Sequence, residues 1–124
     1  VEDLFYTLID EAMEDMPSEF QEKLDNVNIF VEPHPTEEQA RKFKLRENHT
    51  TLFGLYEGIP HTRRGRYGIG ATVPDKITLF AYPIMSRAKT RQELKAQIKD
   101  TLYHEIGHHF GMSEEEIHKA THQK

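Results

Sequence analysis

The sequence contains no cysteine. No disulfide framework can form, and any metal ion must be held by histidine, aspartate or glutamate. That absence suits a reducing compartment, and the cytoplasm is the expected location. No apolar run approaches the roughly 20 residues of a membrane-spanning helix, so no membrane partner is expected. No signal peptide is recognisable, although the chain starts at Val1 rather than Met, which leaves room for a removed upstream segment. Internal repeats and low-complexity tracts are also missing. Positive charge is not in excess. The 16 Lys and Arg stand against 21 Asp and Glu, for a formal charge of −5, which argues against nucleic acid and anionic membranes as partners. With 124 residues the chain has enough material for one core, and a single domain spanning 1–124 is expected.

What is present is patterned. Leu4, Phe5, Leu8, Ile9, Ala12 and Met13 recur at helical spacing and predict an amphipathic helix that stops near Pro17. Ser18 to Leu24 reads as a short second helix closed by Asp25-Asn26. Val27, Ile29 and Val31 alternate, which predicts a strand ending at Glu32-Pro33. Thr36 and Gln39 have capping-box spacing and mark a helix start. Thr51 to Glu57 and Lys76 to Tyr82 are the next expected strands, the latter with Ile77, Leu79 and Ala81 on one face. Between them His61 to Pro74 forms a long Gly- and Arg-rich loop. Thr90 and Glu93 form another capping box, and Leu94, Ile98, Leu102 and Ile106 then run at four-residue spacing into Gly111. Ser113 and Glu116 cap a last helix. The expected architecture is α+β, with helices packed on a short mixed β-sheet and one long helix at about residues 90–110.

That long helix carries the chemistry. His104-Glu105-Ile106-Gly107-His108 reads His-Glu-x-x-His. Residues four apart project from the same helix face, so His104 and His108 are expected to bind one zinc ion. Glu105 is turned about 100° from His104, close enough to take a proton from a metal-bound water as that water attacks a carbonyl. The expected activity is zinc-dependent hydrolysis of peptide bonds. A catalytic zinc takes three protein ligands, and the third must come from outside the helix. Gly111 permits the sharp turn that brings the next residues back, and Glu114 is the expected third ligand, with His118 the next candidate. An acidic residue in a first helical turn also has a purely electrostatic use, which applies equally to Glu114, Glu115 and Glu116.

Other residues have plainer readings beside functional ones. His109 is expected at the surface or supporting a ligand from behind. His118 and His122 read first as solvated surface groups. Arg63, Arg64 and Arg66 form a basic cluster suited to a substrate carboxylate or an oxyanion, against the simpler reading of a solvated loop. Tyr56, Tyr67 and Tyr82 are candidate oxyanion donors, and spacing does not choose among them. The strand Lys76 to Tyr82 is a candidate edge for an extended peptide.

Beyond the motif, the sequence resembles the minimal zincin-like metallopeptidases, a family of small bacterial proteins. The likeness runs through Met16-Pro17, Asn26 to Glu32, Phe53-Gly54-Leu55-Tyr56, Gly58-Ile59-Pro60, Pro74-Asp75-Lys76-Ile77-Thr78-Leu79-Phe80, His104 to Gly111, and Glu114-Glu115-Glu116. The Gly-Leu-Tyr and Pro-Asp-x-Ile-x-Leu segments are more specific than His-Glu-x-x-His alone. The resemblance implies a compact zincin-like fold and a peptidase acting on peptide or protein substrates. The motif also resembles the metzincin pattern, where Gly follows the second His by three residues and a further ligand by six. Gly111 and Glu114 occupy those positions, with Glu where metzincins usually have His, and no Met-turn follows. A soluble monomer with one zinc ion is expected. The alternatives are a non-catalytic module that keeps the fold for metal or partner binding, and a regulatory peptidase with one dedicated target.

Overall fold

The computed structural model describes residues 2–42, 52–58 and 74–121, with the side chains of His108, Glu114, Ala120 and Thr121 outside that description. Helix α1, Glu2–Glu14, buries Phe5, Leu8, Ile9 and Ala12 along one stripe, while Leu4, expected in that stripe, is exposed. Pro17 precedes α2, Ser18–Lys23, whose Phe20 is fully buried. Strand β1, Val27–Glu32, alternates as predicted, with Val31 inward and Phe30 outward. Helix α3, Glu37–Lys42, starts at a reciprocal capping box: Gln39 N–H donates to Thr36 Oγ1 at 3.1 Å, and Thr36 N–H to Gln39 Oε1 at 2.9 Å.

Strands β2, Gly54–Glu57, and β3, Asp75–Phe80, complete a three-stranded sheet of order β1-β3-β2. β3 runs parallel to β1, with Ile77 opposite Ile29, and antiparallel to β2, with Ile77 opposite Tyr56. The sheet is therefore mixed, as expected, but β3 is its central strand. The expectation that Lys76 to Tyr82 offers an edge is incorrect, because β3 is paired on both sides. Thr78 and Phe80 are buried as well as Ile77 and Leu79, the pattern of a strand covered on both faces.

The strand also ends earlier than expected. Ala81–Met85 form a short helix, α4. Pro83 is compatible with it because the first turn of a helix has no intrahelical use for its N–H groups. Ala81 still reaches the core, from a helix rather than from the pleat. β2 is likewise shorter than the predicted Thr51 to Glu57; Leu52 and Phe53 lie outside it.

Helix α5, Arg91–His109, is the long predicted helix. Its Leu94, Ile98, Leu102, Tyr103 and Ile106 pack with Phe5 and Leu8 of α1 and with Ile77 and Leu79 of β3. Each such side chain removed from water contributes about 1.5–3 kcal/mol before the cost of ordering the chain. Gly111 ends the run in the left-handed region, φ 74°, and Met112 N–H closes on Gly107 O at 2.7 Å. Helix α6, Glu114–Thr121, then packs back on α5 through Ile117. The fold is α+β: helices on one small mixed sheet, with α5 between α1 and β2. No helix among the described residues is long and apolar enough to cross a membrane.

Candidate active site

Two neighbouring rows of residues run along α5 and divide the work. Thr101, Glu105 and His109 are four apart and face β2. The adjacent row, Asp100, His104 and His108, includes both predicted imidazole ligands.

Contact with β2 is close because of Gly54. A Cβ there would stand 2.9 Å from Thr101 Cγ2 and 3.4 Å from Glu105 Cγ, so only glycine lets the strand lie this near the helix. Thr101 Oγ1 donates to Gln97 O at 2.8 Å, an arrangement in which the hydroxyl is satisfied inside the helix. Two residues further along β2, Tyr56 N–H donates to Glu105 Oε1 at 3.1 Å. The Tyr56 ring stacks on His109, with centroids 3.8 Å apart and planes 15° from parallel. Tyr56 Oη donates to Asp75 Oδ2 at 2.8 Å, and His109 Nε2 is 3.9 Å from the same oxygen.

His104 is half-buried, with Nδ1 2.9 Å from the Asp100 carbonyl oxygen and 3.6 Å from Asp100 Oδ1. That geometry favours a proton on Nδ1 and therefore the lone pair on Nε2. His104 and Glu105 together line an open cleft of about 380 Å³, whose other walls include Asp100, Thr101, Phe53 and Gly54. A cleft with a half-buried imidazole beside a backbone-anchored carboxylate can bind a metal ion and move a proton.

The structure thus brings together His104 and Glu105 of the predicted set. His108 lies one turn further along α5, and Glu114 opens α6; their side chains are outside the described residues. Among the described residues no three His, Asp or Glu side chains form a group able to hold a metal, and that set omits both His108 and Glu114. His118 is exposed on α6. Tyr82 is exposed on α4, where it stacks on His34 at 6.1 Å, and it does not line the cleft. Arg63, Arg64, Arg66, Tyr67 and His122 lie outside the described residues. Sequence reasoning missed Asp100, Asp75 and Gly54. Asp100 was recoverable, because it precedes His104 by one helical repeat; the other two reach the site only through the sheet.

A family model for zincin-like metallopeptidases matches residues 24–123. The chain belongs to the zincin-like metallopeptidase family. The match covers everything from the end of α2 to α6 and beyond, and so takes in both the sheet and the His-Glu-x-x-His helix. In general terms the membership supports zinc-peptidase chemistry. No curated protein matches the chain.

Proposed function

We propose that this zincin-like protein is a zinc-dependent peptidase, that residues 1–124 work as one domain, and that Glu105 is its general base. One observation carries the reading: His104 and Glu105 line the same cleft, each with one polar atom tied to backbone. α1 lies before the matched segment yet packs on α5, which supports a single working unit.

The residues fit zinc. Two imidazoles and a carboxylate form a common catalytic donor set, and a His104 protonated on Nδ1 carries its lone pair on the other nitrogen. His104, His108 and Glu114 would hold the ion. Zinc, when bound, acidifies water and polarises a carbonyl oxygen.

The chain's own residues do the rest. Glu105 accepts the proton of the attacking water through its carboxylate and hands it to the departing amide nitrogen. Its Oε1 is held by Tyr56 N–H, which fixes the plane of the carboxylate before substrate arrives. The substrate is an extended peptide or protein segment laid along β2. Phe53 O accepts from Phe80 N–H at 2.9 Å, so the alternate residues Gly54 and Tyr56 turn their backbone groups away from β3, toward α5 and the cleft.

The test is zinc analysis of purified protein together with mass-spectrometric digestion of a mixed peptide library. Wild type should cleave, and Glu105→Gln should retain zinc but not cleave. A zinc-loaded wild type that cuts nothing would overturn the peptidase reading and leave a metal-binding module that recognises a partner.

A further inference from the structure

We infer that Tyr56, Asp75 and His109 form a clamp that positions Glu105, so that three residues outside the His-Glu-x-x-His motif set the geometry of the base. The proposal relies on the peptidase reading only for the role of Glu105; the clamp itself is a statement about contacts.

The Glu105 carboxylate accepts a hydrogen bond from a backbone group of a four-residue strand. A short strand frays unless its ends are tied. β2 is tied on the β3 side by its ladder and at Tyr56 by its side chain. The Tyr56 hydroxyl bonds Asp75 Oδ2, and Asp75 is itself anchored, its N–H donating to Asn26 O at 3.0 Å where β1 begins. On the helix side the Tyr56 ring lies flat on His109, one turn beyond Glu105 in the same row of α5. The Tyr56 amide is therefore fixed from two directions, by β3 and by the end of α5, and it passes that fixation to Glu105 Oε1. The chain after the strand also runs close to the histidine: a Cβ on Gly58 would be 3.4 Å from His109 Cε1. His109 is exposed, so this stack adds little to the core. Its consequence is local, and it falls beside the base.

Tyr56, Asp75 and His109 are positioning residues, and the test has a readout that needs neither metal nor substrate. Amide hydrogen exchange is measured by NMR on the whole metal-free chain. The amide at position 56 should be protected in wild type, and Glu105→Ala, which removes the acceptor, should speed its exchange about tenfold or more. Tyr56→Phe and His109→Ala should each speed it several-fold, while His109→Phe, which keeps a stacked ring, should restore protection. Exchange at Ile98 and Leu102, buried in α5, should stay unchanged in all of these variants. Equal protection at position 56 in wild type, Tyr56→Phe and His109→Ala would overturn the clamp. Parallel acceleration at Ile98 and Leu102 would overturn it too, by revealing global loosening. In a second arm, zinc-loaded protein is assayed on a mixed fluorogenic peptide library. Tyr56→Phe should lower kcat about tenfold with KM within roughly twofold. If zinc-loaded wild type does not cleave, the peptidase reading falls, and the exchange measurement still decides the clamp.

Discussion

Ile117 of α6 fills the space beside Gly107 of α5, its Cδ1 and Cγ1 each 2.6 Å from where a Cβ on Gly107 would stand. Gly107 is an unconstrained position of the His-Glu-x-x-His pattern, yet here it is the seat of the following helix. Ile117 is fully buried and lies one turn after Glu114, so the depth of this seat sets how near the start of α6 comes to α5. Gly107→Ala should push α6 outward. Overpacking of this kind costs about 1–3 kcal/mol, against a helix-propensity gain of about 1 kcal/mol. Thermal melting should show a net loss, and zinc titration should show weaker binding. Adding Ile117→Val, which removes Cδ1, should recover part of both. Full zinc affinity in Gly107→Ala would mean that α6 contributes nothing to the metal.

Much of this arrangement follows from short-range rules. The boxes at Thr36 and Gln39 and at Ser113 and Glu116 both close reciprocally. At the start of α5 only half the expected box forms: Glu93 N–H donates to Thr90 Oγ1, while the Glu93 carboxylate accepts from Lys89 N–H instead. The buried stripe of α5 and the left-handed Gly111 are equally local, as is the neighbourhood of His104 and Glu105, which needs only helical geometry. Pairing across the sheet is different. Nothing in the alternation of Ile77 and Leu79 reveals that β3 is central, because strand order depends on partners far away in the chain. The bond from Tyr56 N–H to Glu105 joins residues 49 apart in sequence, and no motif encodes it. The same is true of Gly54, whose missing side chain matters only once Thr101 lies against it.

Tyr103 carries a chemical cost inside the core. Its ring is fully buried and meets Phe20 edge-on, with centroids 4.6 Å apart. Its hydroxyl is buried without a hydrogen-bond partner among the described residues. Burial pushes the hydroxyl pKa up, and the negative charge of Asp15 adds to the rise. A buried hydroxyl left unpaired costs about 1–3 kcal/mol, whereas the ring alone would keep its packing. Tyr103→Phe should therefore raise the unfolding temperature. A drop in chemical-denaturation stability of about 1 kcal/mol or more would show that the hydroxyl is satisfied.

The cap of α6 should respond to acid. Glu116 has its pKa lowered, first by the Ser113 backbone N–H donating to Oε1 and then by the Ser113 side chain. A carboxyl whose folded pKa lies below its ordinary value of 4.5 stabilises the fold above that value and loses this contribution as pH falls through the lowered one. Glu116→Gln should therefore be less stable than wild type at pH 7, and the two should converge once the pH is below the lowered value. Ser113→Ala, which also deletes the cap to the Glu116 N–H, should cost about 1 kcal/mol at pH 7. Melting curves of the three proteins across the acid range check this. A Glu116→Gln deficit that persists undiminished at the lowest pH would rule out the carboxylate as its source.

The most specific prediction concerns the third zinc ligand. Two imidazoles from one helix leave a catalytic zinc short of a protein ligand. α6 returns to α5 immediately after the left-handed turn at Gly111, and Ile117 seats it against Gly107, next to His108 in the chain. Glu114 is the first residue of α6, and Glu116 is engaged by Ser113. His118, the rival, is exposed on the same helix. We expect Glu114→Ala to weaken zinc binding by orders of magnitude, as His104→Ala and His108→Ala should, because a site without thiolates depends on each of its few ligands. His118→Ala should leave the affinity unchanged. Glu114→Gln separates the two readings of the carboxylate. If Glu114 only serves the helix dipole, its loss will cost a little stability and no zinc. Competitive zinc titration of the five variants alongside wild type makes the measurement. Wild-type affinity in Glu114→Ala together with a large loss in His118→Ala would move the third ligand to His118 and leave the paired imidazoles of α5 as they are.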